Sequence, residues 1–149
     1  MATMAANPVF VDTNVLVHAN NSDSPDQPLA QKALLELAGA GCELWISRQV
    51  MREYACVVSR RMNLMQQFDA SAMVADLHRF GQQFQIADET ASVSSHLQIL
   101  IVSHDVKGKQ VHDANVVATM LAFGIPGLLT QNAADFRRFV PSITLLPLL

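Results

Sequence analysis

"PVFVDTNVLV", residues 8–17, sets a single ionisable side chain, Asp12, among valines, a leucine and a phenylalanine. A short apolar run rich in β-branched residues predicts a strand buried on both faces, as in a parallel sheet. A carboxylate inside such a run must find a partner or shift its pKa, because an unpaired buried charge is very costly. Asp12 therefore needs a reason to be there.

Outward from this stretch, strand-like and helix-like segments alternate. A polar loop, "HANNSDSPDQP", leads to "LAQKALLELAGAG", which has helical spacing and a glycine stop. "CELWIS" reads as a second strand, and Ser47 is placed to cap the following helix, "RQVMREYACVVSRR". "DASAMVADLHRFGQQF" is amphipathic and "QIAD" is a short strand. "ETASVSSHLQILIVSHD" and "VHDANVVATMLAFG" are two further helices joined through "VKGKQ". "IPGLLTQ" and "SITLLPL" are late strands around a helix, "AADFRRF". This rhythm predicts an α/β fold, a parallel sheet with helices on both faces. In such folds ligands bind beyond the carboxyl ends of the strands.

Bulk composition narrows the function. The chain has 149 residues, which suits one domain over 1–149, and half of them are apolar. A net charge of −3 gives no global attraction for nucleic acid, so binding of RNA or DNA must come from local patches or metal ions. Cys42 and Cys56 show neither metal-site spacing nor a disulfide framework, and read as core residues. "MATMAANP" lacks the basic and apolar regions of a signal peptide, and "LQILIV" and "ITLLPLL" are too short to cross a bilayer. A cytoplasmic enzyme or binding protein, with no membrane partner, is the expectation.

Most of the acids fall in loops or on polar helix faces, but four do not. Asp12 lies toward the end of the first strand. Glu53 borders the apolar stripe of Val50, Tyr54, Val57 and Val58 on one helix. Asp113 is in line with Val117, Met120 and Leu121 near a helix start. Asp135 follows the late strand "GLLT" in the first turn of the next helix. Strand ends and the helix starts that follow them share one edge of a parallel sheet, so these four can converge. Converged carboxylates repel, and hard divalent cations neutralise oxygen-rich clusters of this kind. The metal charge also activates an attacking water and screens a phosphodiester from the acids. The chemistry that follows is metal-dependent phosphodiester hydrolysis.

Each acid also has a plainer structural reading. Asp12 can bond the turn amides that follow it, and Glu53 can reach solvent from its helix edge. Asp113 can favour the positive end of its helix, and Asn132 with Asp135 can imitate a capping box. The convergence of all four at strand ends and helix edges favours the shared site.

On these residues the chain resembles the PIN-domain ribonucleases, and within them the VapC-type toxins of prokaryotic toxin–antitoxin pairs. "FVDTNVLV" is similar to the family's opening aspartate motif and "ISRQVMREY" to the helix carrying its second acid. "HDANVVATM" resembles the third-acid helix, and "LLTQNAADFRRF" the closing T-x-N-x-x-D-F element. The resemblance spans Val9 to the end and rests on the ordered set. It implies a three-layer sandwich around a parallel five-stranded sheet, and a Mg²⁺- or Mn²⁺-dependent ribonuclease. It implies that Asp12, Glu53, Asp113 and Asp135 are the catalytic and metal-binding acids. Thr130 would bond a carboxylate or a metal-bound water, Thr13 and Asn14 would shape the loop after strand one, and Asn132 would fix the turn before Asp135. It further implies an RNA substrate, a small antitoxin partner and a homodimer. The rival reading is a non-catalytic RNA-binding or scaffolding domain on the same fold.

Other signals are weaker. Arg48 and Arg52, Lys107 and Lys109, Arg60 and Arg61, and Arg137 and Arg138 are candidate phosphate contacts, though each pair also reads as solvated charge. His112 reads as a surface histidine beside Asp113. His18, His78, His96 and His104 lack zinc-site spacing. Trp45, Tyr54 and Phe84 fall at core-like positions.

Overall fold

The computed structural model of the chain describes residues 7–61 and 68–148. The opening segment 1–6 and the Arg61 side chain, both discussed above, lie outside the described residues. In chain order the elements are β1 (Val9–Val11), α1 (Thr13–Ala19), α2 (Gln27–Gly39), β2 (Leu44–Ser47), α3 (Arg48–Arg61), α4 (Ala70–Gln83) and β3 (Gln85–Ala87). There follow α5 (Ala91–His104), α6 (Gln110–Phe123), β4 (Gly127–Thr130), α7 (Ala133–Phe136), a 3₁₀ turn (Arg137–Phe139) and β5 (Thr144–Pro147).

The strands form one five-stranded parallel sheet in the order β3-β2-β1-β4-β5. Chain direction across the sheet reverses at β1. The first crossovers step from β1 out to β3, and the third returns past β1 to β4. Right-handed crossovers put α1–α4 on one face and α5–α7 on the other, a three-layer α/β sandwich. Packing of α1 on α2 and α3, and of α5 on α6, agrees with that division. Val9, Phe10 and Val11 in the central strand, with Leu128 and Leu129 beside them, form the middle of the core. Among the described residues, no helix is long and apolar enough to cross a membrane.

The opening stretch departs from expectation. Only Val9–Val11 is strand, and Thr13 begins a helix where the run predicts continued strand. A continuous apolar run does not separate a buried strand from a buried helix, and the turn at Asp12 decides between them. The Asp12 backbone is extended, with φ −73° and ψ 155°, while its side chain accepts the Thr13 N–H, so it stops the strand and caps the helix. Val15, Leu16 and Val17 lower helix propensity only slightly, and their burial outweighs that. Ser47 caps α3 as expected, its hydroxyl accepting the Val50 N–H at 3.2 Å. Gly124, at φ +67°, ends α6 in the left-handed region that glycine enters without strain.

Candidate active site

The reversal of strand order at β1 opens a crevice where β1 and β4 end together. Val11 pairs with Leu129, so the next residue on each strand, Asp12 and Thr130, stand side by side. The Thr130 hydroxyl donates to Asp12 Oδ2 at 2.8 Å, and Asn14 Nδ2 donates to the same oxygen at 3.2 Å. Oδ1 takes the Thr13 N–H at 2.8 Å. Asp12 is 8% exposed. Burial pushes its carboxyl above the ordinary range; the Thr130 and Thr13 bonds oppose this, and the nearby Glu53 charge adds to it.

Glu53 arrives from α3. Its Oε2 accepts from the Thr13 hydroxyl at 2.9 Å and its Oε1 from Gln49 Nε2 at 2.9 Å. Gln49 is 5% exposed, and both its amide nitrogen and its amide oxygen are engaged. Besides Glu53, it donates to the His112 carbonyl at 2.9 Å and accepts from Asn115 Nδ2 at 2.8 Å. This buried amide joins the helix of Glu53 to the helix of Asp113.

Asp113 lies in the first turn of α6, half-buried. Its carboxyl is pushed up to about 6, first by burial and then by the negative charges of Asp12, Asp135 and Glu53, with His112 opposing weakly. No hydrogen bond offsets this rise. Asp12, Asp135 and Glu53 all lie near enough to Asp113 to act on its carboxyl. The four do not share one cavity. Asp12, Glu53 and Asp113 line a cleft of about 460 Å³ together with His18, Cys56 and Gln131. Asp135, exposed in α7, faces Asp113 across a second cavity of about 280 Å³.

Among the described residues, no group of three or more His, Cys, Asp or Glu side chains is placed to hold a metal ion as it stands. The donor set nevertheless fits a hard cation. Mg²⁺ needs only one or two carboxylates and keeps several waters. Among the described residues, Asp12 meets hydroxyl and amide donors and no cation, and Asp113 accepts no hydrogen bond and lies in the negative field of the other acids.

Thr130 and Asn14 both contact the Asp12 carboxylate, and Asn14 Oδ1 also accepts the Gln131 N–H at 3.1 Å. Asn132 caps no N–H of α7 with its side chain, so the capping-box alternative does not form. Cys56 is exposed on the cleft wall, which corrects its reading as a core residue. Its position three residues after Glu53 puts it on the helix face that looks into the cleft rather than on the apolar stripe. Cys42 packs against the core as expected, and His112 is exposed.

Sequence reasoning missed two features. Gln49 is one helical turn before Glu53, and that spacing alone was enough to pair them. His18 gave no comparable signal. Its Nε2 faces Gln131 Oε1 at 2.6 Å and its Nδ1 faces Ser24 Oγ at 2.7 Å. Gln131 Nε2 donates to Asp26 at 3.0 Å, which orients the amide with its oxygen toward the ring. This chain ties the loop after α1 to the end of β4 at the cleft's lip.

Comparison with known proteins bears on this geometry. No protein of curated function matches the chain by sequence. Among solved structures, VapBC2 from Rickettsia felis bound to a promoter DNA fragment is similar at a TM-score of 0.70, with 21% identity over 93% of this chain and 97% of that one. VapC20 from Mycobacterium tuberculosis, a sarcin–ricin-loop-cleaving toxin, is similar at 0.61, with 21% identity over 80% of this chain and 86% of that one. A toxin–antitoxin complex from Klebsiella pneumoniae is similar at 0.65, with 18% identity over 91% and 95%. At these identities the likeness is one of fold. The PIN domain family profile matches residues 9–140, from the first strand through the turn after α7. With most of its length matched, the chain belongs to the PIN domain family.

Proposed function

We propose that this protein, acting as one PIN domain, is a divalent-cation-dependent endoribonuclease and the toxin of a toxin–antitoxin pair. The observation that carries the reading is Asp113. It is a half-buried carboxylate raised to about 6 by burial first and then by three other acids, at the sheet edge where α/β folds bind ligands. An acid cluster without a cation partner gains nothing in stability, and its most direct use is to hold one. Asp12 and Asp113 would hold the ion, Mg²⁺ or Mn²⁺, with Glu53 and Asp135 completing the charge around it. When bound, the ion neutralises the repulsion between acids and phosphate and lowers the pKa of water for attack on phosphorus.

The chain's own residues then orient the acids. Thr130 and Asn14 hold Oδ2 of Asp12, leaving little freedom in that carboxylate. Thr13 and Gln49 hold Glu53 from opposite sides. The resemblance in fold to the toxin–antitoxin complexes supports a small antitoxin as partner. An antitoxin arginine placed among the acids would make the charge-assisted pairs that a cation otherwise supplies. The assembly expected of such a toxin is a homodimer.

Purified full-length protein incubated with single-stranded RNA and Mn²⁺ tests the proposal. Internal cleavage that is lost in Asp12→Asn and Asp113→Asn, with both variants folded, is the expected result. Cleavage that persists in both variants rejects this site. A folded protein that binds RNA and leaves it intact is a non-catalytic binding domain instead.

A further inference from the structure

The two cavities meet at Asp113, and they differ in charge. Among the described residues the larger cleft has no lysine or arginine on its wall, whereas the second has Arg138 beside Gln110, Asp113 and Asp135. Three of the other seven cations that the sequence offers as phosphate contacts are already engaged. Arg48 pairs with Asp88 at 2.9 Å, Arg52 with Glu89 at 2.8 Å and Lys107 with Asp105 at 3.0 Å.

Arg138 is held differently. Its Nη1 donates to the neutral Gln110 Oε1 at 3.0 Å, and that oxygen is itself pinned by the Lys107 N–H at 3.1 Å. The turn carrying Arg138 is anchored by Phe136 and Phe139, each 1% exposed, and the His104 ring meets Phe139 edge-on at 5.1 Å. The guanidinium is thus oriented by a neutral amide, and among the described residues it forms no direct ion pair with a carboxylate. A planar cation with spare donors, on a cavity wall next to the acids, suits a phosphate.

We infer that Arg138, held by Gln110, forms a subsite in the second cavity for the RNA phosphate next to the one that is cut. The inference rests on the ribonuclease reading and extends it. A strand crossing the acids passes from the larger cleft over Asp113 into this cavity, where Arg138 offsets the repulsion that Asp135 exerts. Arg138 touches substrate away from the reacting atoms, so it contributes to binding and not to the chemical step.

Initial rates of cleavage of a short fluorescein-labelled single-stranded RNA with Mn²⁺, over a range of KCl concentrations, test this. Fluorescence anisotropy of the same RNA with Ca²⁺ replacing Mn²⁺ gives binding separately. Arg138→Gln is expected to raise KM about tenfold with kcat within about twofold. The slope of log(kcat/KM) against log[salt] should fall in magnitude by about 0.7, the loss of one single-strand phosphate contact. Lys32→Gln removes the same charge from an exposed pair with Glu36 and should change neither quantity. Arg138→Lys should recover part of the affinity, because charge remains while the planar donor pair is lost. If wild-type protein cleaves and Arg138→Gln keeps its KM and salt slope, the subsite is wrong and the ribonuclease reading stands. If wild-type protein neither cleaves nor binds the RNA, both fail.

Discussion

Two charged regions of this molecule obey opposite rules. Along α3 and the loop between β3 and α5, carboxylates and guanidinium groups are matched: Arg48 meets Asp88 and Arg52 meets Glu89, all exposed. At the carboxyl edge of the sheet, Asp12, Glu53 and Asp113 meet hydroxyls, amides and one another. The matched region is cheap to hold and contributes little, since exposed pairs give about 0–1 kcal/mol each. The unmatched region opposes folding, and the fold keeps it by surrounding it with hydrogen-bond donors. The comparison teaches that the informative charge is the one without a counter-charge.

The largest effect that would sharpen this contrast is on activity. Asp113→Asn should reduce RNA cleavage by about 10²–10³-fold, the scale of removing one preorganised electrostatic group, in a gel assay with Mn²⁺. The same variant should melt no lower than wild type, because it deletes a repelled carboxylate. A clear loss of stability would contradict the electrostatic account.

Next comes the amide beneath the acids. Gln49→Leu leaves the His112 carbonyl, Asn115 and one side of Glu53 without their partner. Chemical denaturation should show a loss of about 1–3 kcal/mol. Cleavage should fall about 10–100-fold, as when a group orienting a metal ligand is removed.

Acidity gives a third contrast. An acid whose pKa is higher in the folded chain binds its proton more tightly there, so stability falls as pH rises through the window from the ordinary 3.8 to about 6 and levels off above it. Metal-free protein should therefore lose a few degrees in melting temperature between about pH 4 and pH 6 relative to Asp113→Asn. Adding Mg²⁺ above that window should restore the loss in wild type and do little in the variant. The smallest effect belongs to the matched region. Arg52→Ala should shift stability by less than about 1 kcal/mol and leave cleavage unchanged.

Much of this arrangement is legible in the sequence, for reasons that differ by element. The alternation of "CELWIS", "QIAD" and "GLLT" with amphipathic stretches carries the sheet, because period and turn residues are local signals. The acids stand out because each sits against apolar neighbours. "DTNVLV" misleads, since the switch from strand to helix depends on one side-chain bond from Asp12 to the Thr13 amide. The split of the acids between two cavities, and the orientation of Cys56 into the larger one, depend on how helices rotate on the sheet. The His18–Gln131 tie spans 113 positions, and nothing in either residue's neighbourhood announces it.

The bond from Thr130 to Asp12 bridges 118 positions. Because β4 inserts beside β1 only after six helices have been made, a chain still emerging from the ribosome has half a crevice and no fourth acid. The carboxyl edge that gathers the acids is assembled last. A cell making this protein has the whole span of translation, several seconds or more at about 5–20 residues per second, before that edge is complete.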